Sequence, residues 1–473
     1  MDIRIFPNRL GGYIKAKPSK SAAHRAIICA ALSDRPTLIK IECEDEGAAV
    51  SDDISATIAC VNALGAAVER APGGLAVYPA KAGGHDGDQL FFPCGESGST
   101  FRFMLPIAAA LGREAAFELK GRLPERPLSP LYEELVRHGC ALSPQSRKPP
   151  NSAGRLAPFH SEERIAPFRC SGRLAPGAYA LDAGVSSQFI SGLLFALPLL
   201  DGDSELRLTG SAESFSYVKM TMVALKTFGI RLEYGGGAFA IPGGQAYRSP
   251  GVYEVEGDWS NAAFWLCAGA LSDGGMAESG AFGRGAAADG SDAEDVTCGG
   301  LDLRSPQGDK TILDLLERFG ARVKPCESGV AVSGGHLRGL EIDARDIPDL
   351  VPALAVVGAV AQGVTAIRGA ARLRDKESDR LAAVTAALRA LGSDISETAD
   401  GLHIRGVATL KGGCVSSRGD HRIAMAAATA ASACAQPVVI RGAEAVNKSY
   451  PGFYNDLRAL GGVAQVIQEY ENL

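Results

Sequence analysis

Six segments of this sequence share one pattern, a helix-like stretch that ends in glycine and continues into a strand-like tail. They read VNALGAAVE, LVRHGCALS, LKTFGIRLE, LERFGARVK, LRALGSDIS and LRALGGVAQ. The closing glycines are Gly65, Gly139, Gly229, Gly320, Gly392 and Gly461. Glycine adopts the left-handed backbone that ends a helix without a steric penalty. The repeat therefore predicts a chain built from six α/β units.

The spacing of the glycines also predicts two domains. The two longest intervals between these glycines contain low-complexity stretches at 143–154 and 275–295. We interpret both stretches as surface insertions because they lack apolar periodicity. Three repeats precede and three follow the turn-rich stretch AYRSPGVYEVEGD at 246–258. We therefore expect the domain boundary there.

Composition excludes several classes of function. A net charge of −6 over 473 residues does not suggest a nucleic-acid or membrane-surface partner. Eleven cysteines without a CxxC pair or a Cys/His cluster indicate reduced thiols in a cytoplasmic protein and no metal site. The start of the chain has no apolar signal core, and the apolar runs are shorter than a membrane helix. No P-loop motif and no Ser–His–Asp or zinc spacing occurs.

The stretch LRDKESDRL, residues 373–381, places charges at the start of a predicted helix. Apolar residues recur at helical spacing from Leu381 to Leu391. Glu377 and Arg380 can pair, whereas the like charges of Lys376 and Arg380, four residues apart, repel. A bound anion would relieve that repulsion, and the alternative is a solvated first turn with one weak ion pair.

Other predicted helices also begin with polar or cationic groups. Glycines and hydroxyls in Gly95–Thr100, ahead of Arg102, can cradle a phosphate or carboxylate with backbone amides, although such a loop can also be a tight turn. Ser186 and Ser187, ahead of an apolar helix, can be simple N-caps, and so can Asp349, which ends a predicted strand immediately before an apolar helix. Beyond this loop, the residues at such starts are Lys20, Ser21, Arg25, Ser186, Ser187, Gln188, Asp349, Arg422 and Lys448.

These stretches together resemble one known family. KSAAHRA, GESGSTFR, ERPL, SSQF, VEGD, KESDR, DHRIAM and KSYPGF occur in the order found in the 5-enolpyruvylshikimate-3-phosphate (EPSP) synthase family, from about Pro18 to Gly461. The resemblance implies an α/β fold, the two-domain enolpyruvyl transferase fold or inside-out α/β barrel, with six βαβαββ units, three per domain. It places 1–18 with 257–473 in one domain and 19–256 in the other, with the active site in the cleft between them.

The resemblance also implies an activity. The family transfers the enolpyruvyl group of phosphoenolpyruvate to the 5-hydroxyl of shikimate 3-phosphate by addition and elimination, releasing phosphate, on the route to chorismate and aromatic amino acids. Both substrates carry a carboxylate and a phosphate, so converging cations and helix N-termini are needed. We expect no cofactor, no metal, no nucleic-acid or membrane partner, and a monomer.

The family's functional residues map onto this sequence by motif. Lys20, Asp349 and Glu377 resemble its catalytic groups, with Asp349 as the base, Glu377 as the proton donor and Lys20 stabilising charge, although this division of roles stays open. The shikimate 3-phosphate contacts would be Lys20, Ser21, Arg25, Ser186, Ser187, Gln188, Ser214, Asp349 and Lys376. The phosphoenolpyruvate contacts would be Lys20, Gly98, Arg126, Gln188, Arg380, Arg422 and Lys448.

Two alternatives remain at this stage. The related transferase that acts on UDP-N-acetylglucosamine generally has a cysteine ahead of the Arg-Pro that is here Arg126–Pro127, and the loop GREAAFELKGRLPERP has none. A non-catalytic relative would be expected to have lost a catalytic group. The sequence departs from the family at two positions, because Glu96 stands where many members have asparagine and Arg372 where some do, which puts those two contacts in doubt.

Overall fold

The computed structural model describes residues 1–41, 50–80, 89–143, 167–210, 213–272 and 295–467. Except for residues 143 and 295, the predicted insertions at 143–154 and 275–295 lie outside these ranges. The chain groups into two compact units. Unit 1 comprises Met1–Ala22, Glu44–Asp52 and Val255–Leu473, and unit 2 comprises Ala23–Cys43 and Asp53–Glu254.

Unit 1 has three four-stranded sheets in its described part. Their orders are β22-β23-β1-β24, β16-β17-β15-β2 and β18-β19-β21-β20. The strands are β1 Asp2–Phe6, β2 Gly12–Lys15, β15 Val296–Gly299, β16 Arg322–Cys326, β17 Gly329–Ser333, β18 Glu341–Asp343, β19 Val364–Arg368, β20 Asp394–Glu397, β21 Leu402–Arg405, β22 Gly413–Ser416, β23 Val438–Arg441 and β24 Val463–Ile467.

Unit 2 likewise has three four-stranded sheets among its described residues. Their orders are β14-β3-β5-β4, β6-β7-β9-β8 and β10-β11-β13-β12. The strands are β3 Thr37–Lys40, β4 Ala67–Ala71, β5 Gly74–Tyr78, β6 Leu90–Gly95, β7 Ala115–Leu119, β8 Cys140–Ser143, β9 Phe168–Gly172, β10 Ala178–Asp182, β11 Ser204–Thr209, β12 Glu233–Gly235, β13 Ala238–Ile241 and β14 Val252–Glu254.

All six sheets have the same topology, one parallel pair extended by two antiparallel strands. This confirms the prediction of six α/β units. The chain does not complete its units strictly in sequence, however. Strand β1 pairs with β23, opposing Ile3 to Ile440, and β14 returns to pair with β3.

Twelve α-helices connect these strands in the described residues. They are α1 Lys20–Ala31, α2 Asp52–Ala63, α3 Gly98–Ala110, α4 Leu131–Arg137, α5 Ser187–Ala196, α6 Phe215–Thr227, α7 Trp259–Ala270, α8 Ile312–Phe319, α9 Val351–Val360, α10 Arg380–Ala390, α11 His421–Ala430 and α12 Phe453–Ala459. None of them is long and apolar enough to cross a membrane.

Three helices of unit 1 are buried along almost their whole length. Every residue of α7 and α11, and all but the last of α9, is buried, and the three pack against one another. A helix without a polar face is stable only in the interior of a protein. The sheets therefore lie outside these helices, as expected for an inside-out barrel, and only the helix ends remain for polar chemistry.

Unit 2 also contains helices that are buried over most of their residues, namely α1, α3 and α5, and α3 packs against α5. Helices α3 and α5 approach so closely that a Cβ on Gly192 of α5 would lie 2.3 Å from the carbonyl oxygen of Arg102. Only glycine permits that approach of two backbones. The close contact between the second turns of α3 and α5 therefore depends on glycine at position 192.

The six repeat glycines have the backbone that the sequence predicted. Their φ angles lie between 78° and 105°, in the left-handed region. Gly320 is the C-cap of α8, and its amide donates to the carbonyl groups of the last helical turn. These positions confirm the prediction that each glycine ends a helix and lets the chain continue into a strand.

Candidate functional site

Arg380 is the centre of a buried cluster of charges in unit 1. It is the first residue of α10, only 2% exposed, and its guanidinium contacts three carboxylates. Nη1 lies 2.9 Å from Oδ1 of Asp349, Nη2 lies 2.6 Å from Oε2 of Glu377, and Nε lies 2.9 Å from Oδ2 of Asp420. The predicted pair of Glu377 and Arg380 is therefore confirmed, but two further acids complete the cluster.

Asp349 is held by a second arginine. Nη2 of Arg422 lies 3.0 Å from Asp349 Oδ2, while its Nη1 donates to the Asp349 carbonyl oxygen at 3.1 Å. Arg422 also donates to Oγ of Ser260 at 3.0 Å. Two guanidinium groups thus share one carboxylate, and this fixes the Asp349 side chain although it is 20% exposed.

Asp420, the N-cap of α11, is the third carboxylate in contact with Arg380. Its side chain is fully buried and caps α11 by accepting from the amide of Arg422 at 2.9 Å. The other carboxylate oxygen accepts from Ser378 Oγ at 3.0 Å and from Arg380. These hydrogen bonds hold the Asp420 carboxylate between the starts of α10 and α11.

The cluster shifts the proton equilibria of its members. Burial by itself would raise the pKa of Asp349, but the positive charges of Arg422, Arg380 and Lys376 lower it far below the usual range. Burial would lower the pKa of Arg380, and its acidic neighbours raise it instead. Both groups are therefore charged at neutral pH, and the Asp349 carboxylate is a weak base.

Lys20 is tied to this cluster through Asp258, the N-cap of α7. The backbone amide of Lys20 donates to Oδ2 of Asp258 at 3.1 Å. Oδ1 of Asp258 accepts from Ser260 Oγ at 2.6 Å, and Ser260 in turn contacts Arg422. A continuous set of hydrogen bonds therefore links the start of α1 to the start of α11.

His421 is affected by the positive charges of this cluster. It is buried, and its pKa is well below the ordinary value because of that burial and because of the positive charges of Lys20, Arg422 and Arg380. Its Nδ1 lies 3.8 Å from Oδ1 of Asp420. A neutral imidazole at neutral pH adds no further positive charge to the cluster.

Two local expectations for unit 1 were wrong. Asp349 does not end a strand, because β18 stops at Asp343 and Asp349 lies in a short 3-10 turn, Pro348–Leu350, that leads into α9. Lys448 does not directly precede an α-helix. It ends the 3-10 helix Ala443–Lys448, and α12 begins five residues later, at Phe453. A short 3-10 helix is too brief to show a periodic pattern of apolar residues, so the sequence did not predict these two segments.

The glycine and hydroxyl loop of unit 2 begins α3, as predicted. Ser97 is the N-cap, and its side chain accepts from the amide of Thr100. Gly98 is the first helical residue, and a Cβ there would lie 2.7 Å from Nη1 of Arg126. The structure therefore brings Gly98 and the Arg126 guanidinium together, although 28 residues separate them in the sequence.

Gln188 and its serine neighbours lie at the start of α5. Ser186 is an ordinary N-cap that accepts from the amide of Gln188, so this serine also fits the alternative reading of the sequence. The Gln188 amide group contacts α3 at both of its ends. Its Oε1 accepts from Nη1 of Arg102 at 2.6 Å, and its Nε2 donates to Oγ of Ser99 at 2.8 Å.

Arg25, on α1, is buried in unit 2 and held by neutral groups. Its Nε donates to Thr221 Oγ1 at 2.8 Å and its Nη2 to the Tyr217 carbonyl at 2.9 Å. Burial lowers its pKa to about 10, which still leaves it charged at neutral pH. Nearby, Ser214 precedes α6 with a left-handed φ of 53°, a conformation that L residues other than Asn and Asp rarely adopt.

A buried chain of hydrogen bonds supports the start of α3 from behind. Ser97 Oγ and Thr100 Oγ1 are 2.7 Å apart, Thr100 and Thr57 Oγ1 are also 2.7 Å apart, and Thr57 lies 2.6 Å from His24 Nδ1. All four side chains are at most 2% exposed. The chain joins α1, α2 and α3, which anchors the loop around Gly98.

Sequence reasoning missed several members of these clusters. Asp258, Ser260 and Asp420 were not predicted as site residues, although Asp258 and Asp420 fall within the quoted motifs VEGD and DHRIAM. Ser99 and Arg102 were noted only as part of the glycine and hydroxyl loop and as the cation after it, without a role of their own. Their position inside a motif was the available signal. Of the two residues at family-variable positions, Arg372 donates to the Arg345 carbonyl at 2.8 Å, and the Glu96 side chain lies against Gly121.

Comparisons with known proteins agree with this architecture. The family model of EPSP synthase (3-phosphoshikimate 1-carboxyvinyltransferase) matches residues 6–280 and 274–457. The 3-phosphoshikimate 1-carboxyvinyltransferases of Clostridium kluyveri and Clostridium acetobutylicum are 40% and 41% identical, over 97% of both chains in each comparison.

Solved structures show the same fold at low sequence identity. The EPSP synthase structure from Acinetobacter baumannii matches with a TM-score of 0.73 at 23% identity, covering 99% of this chain and 100% of that one. The enolpyruvyl transferase NikO from Streptomyces tendae matches with a TM-score of 0.72 at 18% identity, over 98% of both chains. The predicted two-domain enolpyruvyl transferase fold is thereby confirmed.

Proposed function

The chain belongs to the EPSP synthase family, and from this membership we propose which of its residues perform the family's reaction. It is an enzyme that transfers the carboxyvinyl group of phosphoenolpyruvate to shikimate 3-phosphate in aromatic amino acid biosynthesis. The assignment of individual residues rests on the charged clusters described above. The observation that carries it is the sharing of Asp349 between Arg380 and Arg422.

Addition requires that the 5-hydroxyl loses its proton as its oxygen bonds to the central carbon of phosphoenolpyruvate, while the methylene carbon gains a proton. Elimination then removes a proton from the new methyl group as the bond to phosphate breaks. We assign the first proton to Asp349 and the methylene proton to Glu377, with Lys20 stabilising the charge that develops. The reverse assignment of the two carboxylates remains the alternative.

The pairing of Asp349 suggests how its basicity depends on substrate. A carboxylate whose pKa is held far down by two arginines is a poor base. A bound phosphoenolpyruvate carboxylate or phosphate would compete for Arg380 and Arg422 and so reduce their hold on Asp349. Its pKa would then rise toward the ordinary value of a carboxyl group, and proton transfer would become easier once the substrate is in place.

The binding groups are proposed in two sets. Unit 1 would supply Lys20, Ser21, Asp349, Lys376, Arg380, Arg422 and Lys448, and unit 2 would supply Arg25, Gly98, Arg126, Ser186, Ser187, Gln188 and Ser214. Support comes from Lys20, Ser21, Gly98, Ser186, Ser187, Gln188, Arg380 and Arg422, which lie at the starts of helices, where backbone amides and the helix dipole favour anions. That both sets act on the same pair of substrates is part of the proposal.

The test is an assay of phosphate release from phosphoenolpyruvate, with shikimate 3-phosphate or UDP-N-acetylglucosamine as the acceptor. We expect turnover with the first acceptor and none above background with the second. Turnover with UDP-N-acetylglucosamine alone would overturn the proposed substrate. No turnover with either acceptor would favour a non-catalytic relative.

We also propose that the enzyme is a cytoplasmic monomer with domains 1–18 plus 257–473 and 19–256. Support for the location is the absence of a cysteine pairing pattern from the sequence. The molar mass of the purified protein, measured by light scattering, tests whether it is a monomer, because a dimer would have twice the chain mass of 49.1 kDa. Limited proteolysis checks the boundaries, since cleavage should concentrate between domains and in exposed insertions.

A further inference from the structure

Arg102, on the second turn of α3, is a buried arginine with a defined set of partners in unit 2. It is 5% exposed, and its guanidinium carbon lies 5.2 Å from the centre of the Phe189 ring. Nη1 donates to Gln188 Oε1 at 2.6 Å, and Nη2 donates to the carbonyl oxygen of Pro127 at 3.0 Å. The ring and the Pro127 carbonyl hold the guanidinium, and the guanidinium holds the Gln188 amide.

This contact decides which way round the Gln188 amide lies. A glutamine amide has an accepting oxygen and a donating nitrogen, which can exchange places by a rotation of the terminal torsion. A guanidinium only donates, so Oε1 must face Arg102. Nε2 is thereby turned toward Ser99, and it donates to Ser99 Oγ at 2.8 Å.

The fixed orientation matters because the proposed ligands of Gln188 are anions. The NH₂ group of an amide can donate two hydrogen bonds, whereas its oxygen would repel a carboxylate or phosphate. Ser99 follows Gly98, so the NH₂ group is turned toward the loop proposed to contact phosphoenolpyruvate. With the oxygen in that position, the same side chain would oppose binding.

The helices that carry Arg102 and Gln188 pack closely together. A Cβ on Gly192 of α5 would lie 2.3 Å from the Arg102 carbonyl oxygen, so only glycine permits this contact. Arg102 and Gln188 therefore meet at a distance that the packing of two buried helices sets. Lysine could not hold this geometry equally well, because it lacks the planar fork that reaches two acceptors while stacked on a ring.

We propose that Arg102 is a positioning residue for phosphoenolpyruvate, acting through Gln188 by fixing the amide with its NH₂ group toward the loop of Gly98 and Ser99. The inference rests on the proposed function of Gln188 as a substrate ligand. Arg102 itself contacts no substrate in this assignment.

The kinetic test is a double-mutant cycle with Arg102→Met and Gln188→Ala. We expect Arg102→Met to raise the KM for phosphoenolpyruvate by about tenfold or more, the effect of losing a hydrogen bond to a charged group, with a smaller change in kcat. In the Gln188→Ala background the same substitution should change that KM by less than about threefold. Arg102→Lys, which keeps one donor, should lie between Arg102→Met and the unchanged enzyme.

Equal effects of Arg102→Met in both backgrounds would overturn the proposal, because a purely structural arginine acts whether or not Gln188 is present. Arg207→Met is the matched control in unit 2, since Arg207 is exposed on β11 and pairs only with its strand neighbour Glu205 among its described contacts. It should leave the KM for phosphoenolpyruvate unchanged. If Arg102→Met does not fold, Arg102→Lys carries the cycle instead.

A measurement without substrate separates this inference from the proposed function. In protein labelled with ¹⁵N-glutamine, the NH₂ signals of Gln188 are those that disappear in Gln188→Ala. We expect Arg102→Met, or Arg102→Lys if needed, to shift these signals and to speed their exchange with water. Unchanged Gln188 signals would overturn the contact. Absence of turnover in the unchanged enzyme would instead refute the proposed function while the NMR comparison still decided the role of Arg102.

Discussion

Both units bury arginines, but the groups that accept their hydrogen bonds differ. In unit 1, Arg380 and Arg422 are held by the carboxylates of Asp349, Glu377 and Asp420. In unit 2, the described bonds of Arg25 and Arg102 go to a hydroxyl, two backbone carbonyls and an amide. A neutral acceptor orients a guanidinium and leaves its positive charge unbalanced. A carboxylate orients the guanidinium and also balances its charge.

This difference separates two tasks. Carboxylates whose charge is balanced by arginine can exchange protons when a substrate anion alters that balance, so we expect unit 1 to determine turnover. Hydroxyls and amides do not titrate near neutral pH, so we expect the neutral ligands of unit 2 to change affinity for the anions with little effect on turnover. Substitutions of the unit 1 carboxylates and of the unit 2 neutral ligands should therefore change different kinetic constants.

The largest effect should come from the carboxylates of unit 1. We expect Asp349→Asn and Glu377→Gln each to lower kcat by about 100-fold or more, the usual loss when a positioned acid or base is removed. Steady-state kinetics and circular dichroism of each variant check this. Asp343→Asn is the matched control, because Asp343 is an exposed carboxylate paired with Arg345. Near-normal turnover of either test variant would remove that residue from the mechanism.

A smaller effect, on affinity, should follow from Gly98→Ala in unit 2. The new methyl group would press on the Arg126 guanidinium, and its displacement should raise the KM for phosphoenolpyruvate. Glyphosate, the inhibitor of the family that this sequence resembles, is longer than phosphoenolpyruvate, so its inhibition constant should rise more. Steric discrimination of this kind is commonly about 1–3 kcal/mol.

The measurement is the inhibition constant of glyphosate, competitive against phosphoenolpyruvate, for both proteins. Gly235→Ala is the matched control, because a Cβ at Gly235 meets no atom within 4 Å. Equal inhibition constants for Gly98→Ala and the unchanged enzyme would show that Gly98 does not limit the space available to the inhibitor.

The buried chain behind α3 should affect stability more than chemistry. Thr57→Val removes the hydroxyl that joins Thr100 to His24, leaving buried polar groups unsatisfied at about 1–3 kcal/mol. We expect a lower denaturation midpoint in urea and a kcat within about twofold of the original. Thr227→Val, on the exposed face of α6, should change neither value. A midpoint equal to that of the control would show that the chain contributes no net stability.

The smallest effect concerns acid stability and belongs to unit 1. Because the folded pKa of Asp349 lies below its unfolded value of about 3.9, its ionisation stabilises the fold above that pH. This contribution is lost as the pH falls from about 4 toward the folded pKa. Urea unfolding at several pH values should show a smaller loss of stability below about pH 4 in Asp349→Asn. An identical pH dependence in both proteins would contradict the pairing.

Much of the fold could be predicted because its signals are local. The helix of the KESDR stretch begins at Arg380 after the N-cap Asp379, close to where the apolar period begins. The glycine loop opens α3, and the serines of SSQF open α5. Capping side chains and apolar spacing act over a few residues, so the sequence carries them directly.

The details of the clusters could not be predicted in the same way. Asp420 reaches Arg380 from 40 residues away, and the acceptor of Arg102 lies 86 residues along the chain. The helical spacing expected for Lys376 and Arg380 also does not occur, because Lys376 precedes the helix in an extended conformation. These outcomes depend on how separate helices pack.

The sequence by itself determined the number of repeats, the glycine ends of the six repeat helices and the family, because each depends on short-range backbone preferences or on motifs read in order. Tertiary structure alone decided that β1 completes a sheet with strands near the other end of the chain, that Asp349 lies between two arginines, and that the Gln188 amide faces Arg102 through its oxygen. The physical reason is that hydrogen bonds and ion pairs between distant segments form only where close packing brings their atoms within about 3 Å.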